Sequence, residues 1–337
     1  MKKKFLLASC MLSMMCISFL QAQTGKSEYK IFKTIQLTND GGWDYLSVDQ
    51  VNSRLFVSHG TQVNVVDLKK GEQIAVVPET NGVHGVAIAN DLNKAFISCG
   101  RDTSVKVIDL SNFNMIARVK VTGQNPDAIL YDQFSNKVFT FNGRSSNSTV
   151  IDAKDNKVIA TIPLAGKPEF PQTDGKGKIY VNIEDKSSIA VINAITLKVE
   201  NLWSITPGEE PSGLALDNEN HRLFSVCGNK MMTVMDALSG KLITNVPIGN
   251  GCDGVAFDPG TKRIFASNGE GNITVIQQES ADKYTVVESF PTLPGARTIT
   301  LDKTTHHIFV PLAEREPGAD RKFKPNTFKV LEIVPVK

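Results

Sequence analysis

Apolar and polar positions alternate along this chain in short runs, and no stretch sustains a helical period. The runs recur as one unit seven times. The units open on Trp43-Asp44-Tyr45-Leu46, Val83-His84-Gly85-Val86, Pro126-Asp127-Ala128-Ile129, Pro168-Glu169-Phe170-Pro171, Pro211-Ser212-Gly213-Leu214, Cys252-Asp253-Gly254-Val255 and Ala296-Arg297-Thr298-Ile299. Their second positions lie 40, 43, 42, 43, 41 and 44 residues apart. A turn follows, then a basic residue or His307 and an apolar–aromatic pair, as in Arg54-Leu55-Phe56 and Lys137-Val138-Phe139. A third run ends on a polar residue, as in Val65-Val66-Asp67 and Val107-Ile108-Asp109, and a fourth closes the unit, as in residues 73–77 and 242–248.

Four β-rich runs with Gly, Asp and Asn turns predict four antiparallel strands per unit. A four-stranded repeat of about 40 residues is a propeller blade. One blade cannot bury both faces, so neighbours must stack and the ring must close to remove its edges. The last unit holds only three such runs, and residues 29–37 supply a fourth. The expected fold is therefore all-β: one seven-bladed β-propeller over residues 24–337, closed by an N-terminal strand that completes the last blade. Asp67, Asp109, Asp152 and Asp236 are expected to cap the turns that follow them.

Pro126-Asp127-Ala128-Ile129, Pro211-Ser212-Gly213-Leu214-Ala215-Leu216-Asp217, Lys137-Val138-Phe139 and Val150-Ile151-Asp152 resemble the YVTN-repeat, YncE-like family of exported seven-bladed propellers. The resemblance implies a periplasmic or surface protein. It implies no single chemistry, because members and relatives include DNA-binding, cell-surface, lactonase-like and lyase-like propellers, and fold alone does not fix function.

The start of the chain is read separately. Three lysines precede an uncharged apolar stretch at residues 5–20, and Gln21-Ala22-Gln23 follows. That is the form of a cleaved secretory signal over residues 1–23, which places the chain in the periplasm or outside the cell. Cys10 follows too short an apolar stretch to favour a lipoprotein anchor, and no other run is long enough to span a membrane. Without residues 1–23, Lys plus Arg falls from 37 to 34 against 35 Asp plus Glu, so the formal charge moves from +2 to −1. Nucleic-acid binding is disfavoured, since phosphate recognition needs clustered cations. Cys99, Cys227 and Cys252 remain, too few for a disulfide framework. A Cys227–Cys252 bridge between neighbouring blades and two separate thiols both stay open, the second favoured by the geometry a bridge demands.

Strand direction locates a site. Each first strand lines the central channel, and its start shares one end of the ring with the loop between strands two and three. An inner ring of Asp44, His84, Asp127, Glu169, Ser212, Asp253 and Arg297 is expected there, with Trp43 and Cys252 beside it. Four carboxylates around one axis repel unless a cation binds or some take up protons. The plainer reading is a water-filled mouth with a polar lining. The second strands end in an outer column of His59, Cys99, Asn142, Ile183, Cys227, Asn268 and Leu312, with Arg101, Arg144, Glu184, Lys230, Glu270 and Glu314 just beyond. His59 and His84, with Asp44 or a neighbouring carboxylate, compose a candidate for a divalent metal site. His221, His306 and His307 read as structural. The loop at residues 313–327 is long and charged, a candidate lid or protein-partner contact or else a solvated insertion.

Three functions compete. One is a monomeric binding propeller that takes a small polar molecule or metal ion at its mouth; the chain has no Gly-x-Ser-x-Gly, His-Glu-x-x-His or Cys-x-x-Cys motif. A second is a metal-assisted lactonase-like or lyase-like enzyme. There His84 or His59 would act as base, Arg144 or Arg297 would hold an oxyanion, and Glu169, Asp127 or Asp253 would hold metal or act as acid. The third is binding of nucleic acid or a protein partner. No cofactor is indicated beyond a possible divalent metal, and a c-type haem is excluded by the missing Cys-x-x-Cys-His.

Overall fold

The computed structural model describes residues 27–39, 41–316 and 323–336. The expected signal segment, with Cys10, and the loop residues Asp320, Arg321 and Lys322 lie outside the described residues. Strands form seven separate four-stranded antiparallel sheets. Six of them are consecutive in sequence, the first comprising Trp43–Asp49, Arg54–His59, Gln62–Asp67 and Glu72–Val77. The seventh orders Thr300–Asp302, His307–Leu312 and Lys329–Pro335 outward and is finished by Tyr29–Gln36 from the other end of the chain. That last pairing runs from Tyr29 opposite Pro335 to Gln36 opposite Lys329. This is the expected seven-bladed propeller, and residues 29–36 close it.

Burial explains the repeat. The second and third strands of each blade face neighbouring sheets on both sides, so they read as nearly unbroken apolar runs. Phe56, Phe96, Phe139, Phe224, Phe265 and Phe309, the aromatic half of the repeated pair, are all fully buried between blades. Outer strands such as Lys157–Pro163 alternate exposed and partly covered residues. The predicted turn caps form: Asp67 Oδ1 accepts the backbone N–H groups of Lys69 and Lys70, and Asp236 Oδ1 those of Leu238 and Ser239. Blade seven joins blade one through a common core containing Trp43, Leu55, Phe309, Leu312 and Phe328. Among the described residues no helix is long and apolar enough to cross a membrane.

Candidate functional site

The mouth of the channel is shaped by a β-bulge. In blades one to five the first strand slips register between the first and fourth tetrad residues, as between Trp43 and Leu46 or Val83 and Val86. Blade six slips between Cys252 and Gly254. The second tetrad residue thereby leaves the regular ladder. Backbone groups freed by the bulge are recovered by buried polar side chains of the second strands. Ser58 Oγ accepts the Asp44 N–H and donates to the Tyr45 carbonyl. Ser98 Oγ accepts the Gly85 N–H at 2.9 Å and donates across to the Asp127 carbonyl of the next blade at 2.6 Å. Asn182 donates to the Ser212 and Gly213 carbonyls, and Ser267 to that of Ala296.

The third tetrad position sets the width of the ring. A Cβ on Gly254 would lie 2.9 Å from the Ile299 nitrogen, and one on Gly213 would lie 3.0 Å from Gly254 Cα, so adjacent first strands approach too closely for a side chain. Tyr45 and Phe170 break this small-residue column. Their rings meet edge to face with centroids 5.1 Å apart. Blades one and four are not neighbours, so the contact spans the axis and floors the mouth as a shallow cup.

Around the cup the inner ring resolves into three charged groups. His84 Nδ1 lies 2.7 Å from Asp44 Oδ2 and 3.3 Å from Asp127 Oδ1. Burial opposes the charged imidazole, but the hydrogen bond to Asp44 and the charges of Asp127, Asp44 and Glu169 outweigh it, and His84 is raised to about 9. In the second group Lys167 pairs with Glu169 at 2.8 Å and with Glu184. In the third, Arg297 pairs with Asp253 and donates to the Trp43 carbonyl. Burial, with the charge of Asp44, pushes Asp127 up against the opposing pull of His84 and Lys167. Burial and the charge of Asp127 push Glu169 up, and burial pushes Asp253 up against Arg297. Tyr45 sits among Asp127, Asp44, Glu169 and Asp253 and is held as a neutral phenol, by burial first and then by those charges.

The ligand atoms of Asp44, His84 and Asp127 all lie within 4.8 Å of one another, and no other such group of three occurs among the described residues. Two carboxylate oxygens and one imidazole nitrogen suit a divalent transition metal. His84 must lose its proton to join them, which makes any such binding pH-dependent. The structure does not assemble His59 with His84 and Asp44, as the sequence had led us to expect. His59 is buried with its ring centroid 3.8 Å from that of Phe328 and its Nδ1 3.3 Å from Asn64 Oδ1, and Asp127 takes the third place in the cluster.

Other candidates scatter. Ser212 Oγ donates to the Cys252 carbonyl, and Trp43 is buried against Phe323 and Phe328. Arg144 is exposed on its loop, and Glu314 turns back to Lys324 and Lys329 within its own blade. Cys227 and Cys252 are both free and buried, as is Cys99. His306 and His307 serve structure through Asp258 and Glu332. The loop at 313–327 is pinned at its base by a backbone bridge between Arg315 and Phe323, whose ring packs on Trp43.

Lys167, Asn125 and Gly100 belong to the site and were missed by sequence reasoning. Asn125 Nδ2 donates to Asp127 Oδ2 at 3.4 Å. A Cβ on Gly100 would lie 2.7 Å from His84 Nε2, so glycine there leaves room for the imidazole. A signal existed for two of them: the residue before each tetrad is glycine in four units (Gly42, Gly82, Gly251, Gly295), and Asn125, Lys167 and Glu210 depart from that rule.

No protein-family model matches the chain. Over 97 residues it is 29% identical to protein YncE of Salmonella typhi and 28% identical to YncE of Salmonella typhimurium. That stretch is 28% of this chain and 27% of either relative, so only about a quarter of the relatives' length is matched. Among solved structures, the WD40 repeats of RRP9 superpose with a TM-score of 0.75 at 10% identity, covering 92% of this chain and 98% of that one. A chain of hydrazine synthase from Kuenenia stuttgartiensis gives 0.70 at 17% identity, covering 81% and 93%. At such identities these two likenesses concern the fold alone. The chain is a seven-bladed β-propeller whose sequence is similar, over part of its length, to YncE.

Proposed function

We propose that this chain is an exported binding propeller whose channel mouth takes a small cationic or polar ligand or a metal ion. The observation that carries the reading is an imbalance of charge in the cup. Among the described residues, the five carboxylates Asp44, Asp127, Glu169, Glu184 and Asp253 share three ion-pair partners, His84, Lys167 and Arg297. Burial first, and then the neighbouring carboxylates, push Asp127, Glu169 and Asp253 toward their protonated forms. A bound cation takes the place of those protons.

Calorimetric titration with manganese, zinc and calcium ions and with small amines tests this. Binding should release protons, visible as a heat that varies with the ionisation enthalpy of the buffer. Asp127→Asn and Glu169→Gln should each weaken it at least tenfold. Binding indifferent to both substitutions, or no binding by any of these cations, would overturn the proposal. The convergence of Asp44, His84 and Asp127 favours a second reading, a metal-assisted lactonase-like or lyase-like activity at the same mouth. It requires a stoichiometric metal and loss of turnover in Asp127→Asn, and a metal-independent protein would rule it out. Export is tested by sequencing the N-terminus of the mature protein, with cleavage expected after residue 22 or 23.

A further inference from the structure

A second cavity, of about 560 Å³, lies at the seam where the ring closes. It sits between the N-terminal strand, the third-to-fourth-strand turn of blade one and the second strand of blade seven. By topology that turn belongs to the end of the ring opposite the mouth. The volume is in the range of small-molecule sites. We infer that this cavity binds a small carboxylate with an apolar body.

The apolar half of the argument begins with a bulge. The closing strand slips register between Ile31 and Lys33, which leaves Phe32 out of the ladder and 63% exposed at the rim of the cavity. Its ring centroid is 6.2 Å from that of His307. Phe309 and Leu68 line the same cavity. An aromatic side chain held in water beside an apolar wall gains by being covered.

The polar half is a matter of unspent charge. Two carboxylates reach the cavity and both are occupied. Asp302 accepts the Thr304 N–H at 2.9 Å and the Thr305 hydroxyl at 2.8 Å, and Glu332 is paired with His307 at 2.7 Å. Lys33, Lys69 and Lys70 also line the cavity, and among the described residues none of them makes an ion pair. Lys33 donates one hydrogen bond, to the Lys70 carbonyl at 2.8 Å, and keeps two N–H groups. Three lysines and an apolar wall in one cavity complement one negative charge on an apolar body. Such a ligand touches all three segments that close the ring, so it stabilises the folded chain by mass action.

The experiment uses the mature chain with octanoate and phenylacetate as probes and octanamide as the uncharged control, followed by calorimetry and thermal unfolding. Saturable binding of a carboxylate with a raised melting temperature is expected, and octanamide should bind at least tenfold more weakly. The double variant Lys69→Glu/Lys70→Glu, at exposed turn positions, should weaken carboxylate binding at least tenfold while the free protein melts as before. Phe32→Ser should weaken it too, and Phe32→Leu should retain it. The idea is overturned if neither carboxylate binds, if octanamide binds equally well, or if the lysine variant binds with unchanged affinity. Asp127→Asn at the mouth should leave carboxylate binding unaltered. Loss of binding in that variant would place the ligand in the cup and equally overturn the assignment.

Discussion

His84 sets the electrostatics of the mouth at the scale of single residues. Its imidazole is raised from 6.5 to about 9, so the folded state holds the proton more tightly than the unfolded chain does. The stability this contributes is therefore fully present below the unfolded value and is lost as pH rises through about 9. A proton-detected titration of the ring should show its midpoint near 9. Asp44→Asn removes the 2.7 Å partner and should bring that midpoint down toward that of an ordinary imidazole, about 6.5. A midpoint unchanged by the substitution would show that Asp44 does not hold the proton in place. The sequence showed that a polar residue recurs at this point of each blade. It could not show that His84 lies between Asp44 and Asp127, because those three side chains come from separate blades, or that Lys167 joins its near neighbour Glu169 to Glu184 of another loop.

At the scale of the strand, the bulge decides what the mouth presents. Ser98 closes two backbone groups of adjacent blades at once, at 2.9 and 2.6 Å, in a fully buried position. Ser98→Ala strands both, and should lower unfolding stability by about 1–3 kcal/mol. Gly254→Ala forces a methyl to within 2.9 Å of backbone and should cost about 1–3 kcal/mol. Urea unfolding measures both, and a loss below half a kilocalorie in either would contradict the packing described. The capping aspartates were legible beforehand because Asp67 and Asp236 act on residues two and three positions away. The work of Ser98 and Gly254 was not, because each answers to a neighbouring blade some 30 to 45 residues further along.

Closure is the decisive event for the whole molecule. A ring of blades has two raw edges until Tyr29–Gln36 pairs with Lys329–Pro335. Ile35, buried at 3% exposure opposite Val330, is a sensitive point on that seam. Ile35→Ala should cost about 2–5 kcal/mol. Amide exchange should accelerate first in Tyr29–Gln36 and Lys329–Pro335. Equal acceleration in all seven blades would mean that the ring opens as one unit rather than at its seam.

The chain by itself determined the blade, the number of blades and the strand that closes them. Those features rest on local strand period, local turn chemistry and a repeat that any seven aligned segments display. It also placed Asp44, His84, Asp127, Glu169, Asp253 and Arg297 around one opening, since strand direction follows from topology. Only the tertiary structure decided that His59 is packed against Phe328 while Asp127 joins His84, that Tyr45 and Phe170 floor the cup, and that Phe32 is left exposed beside three lysines. Each of those outcomes depends on distances between blades or across the axis, and such distances exist only after the ring has closed.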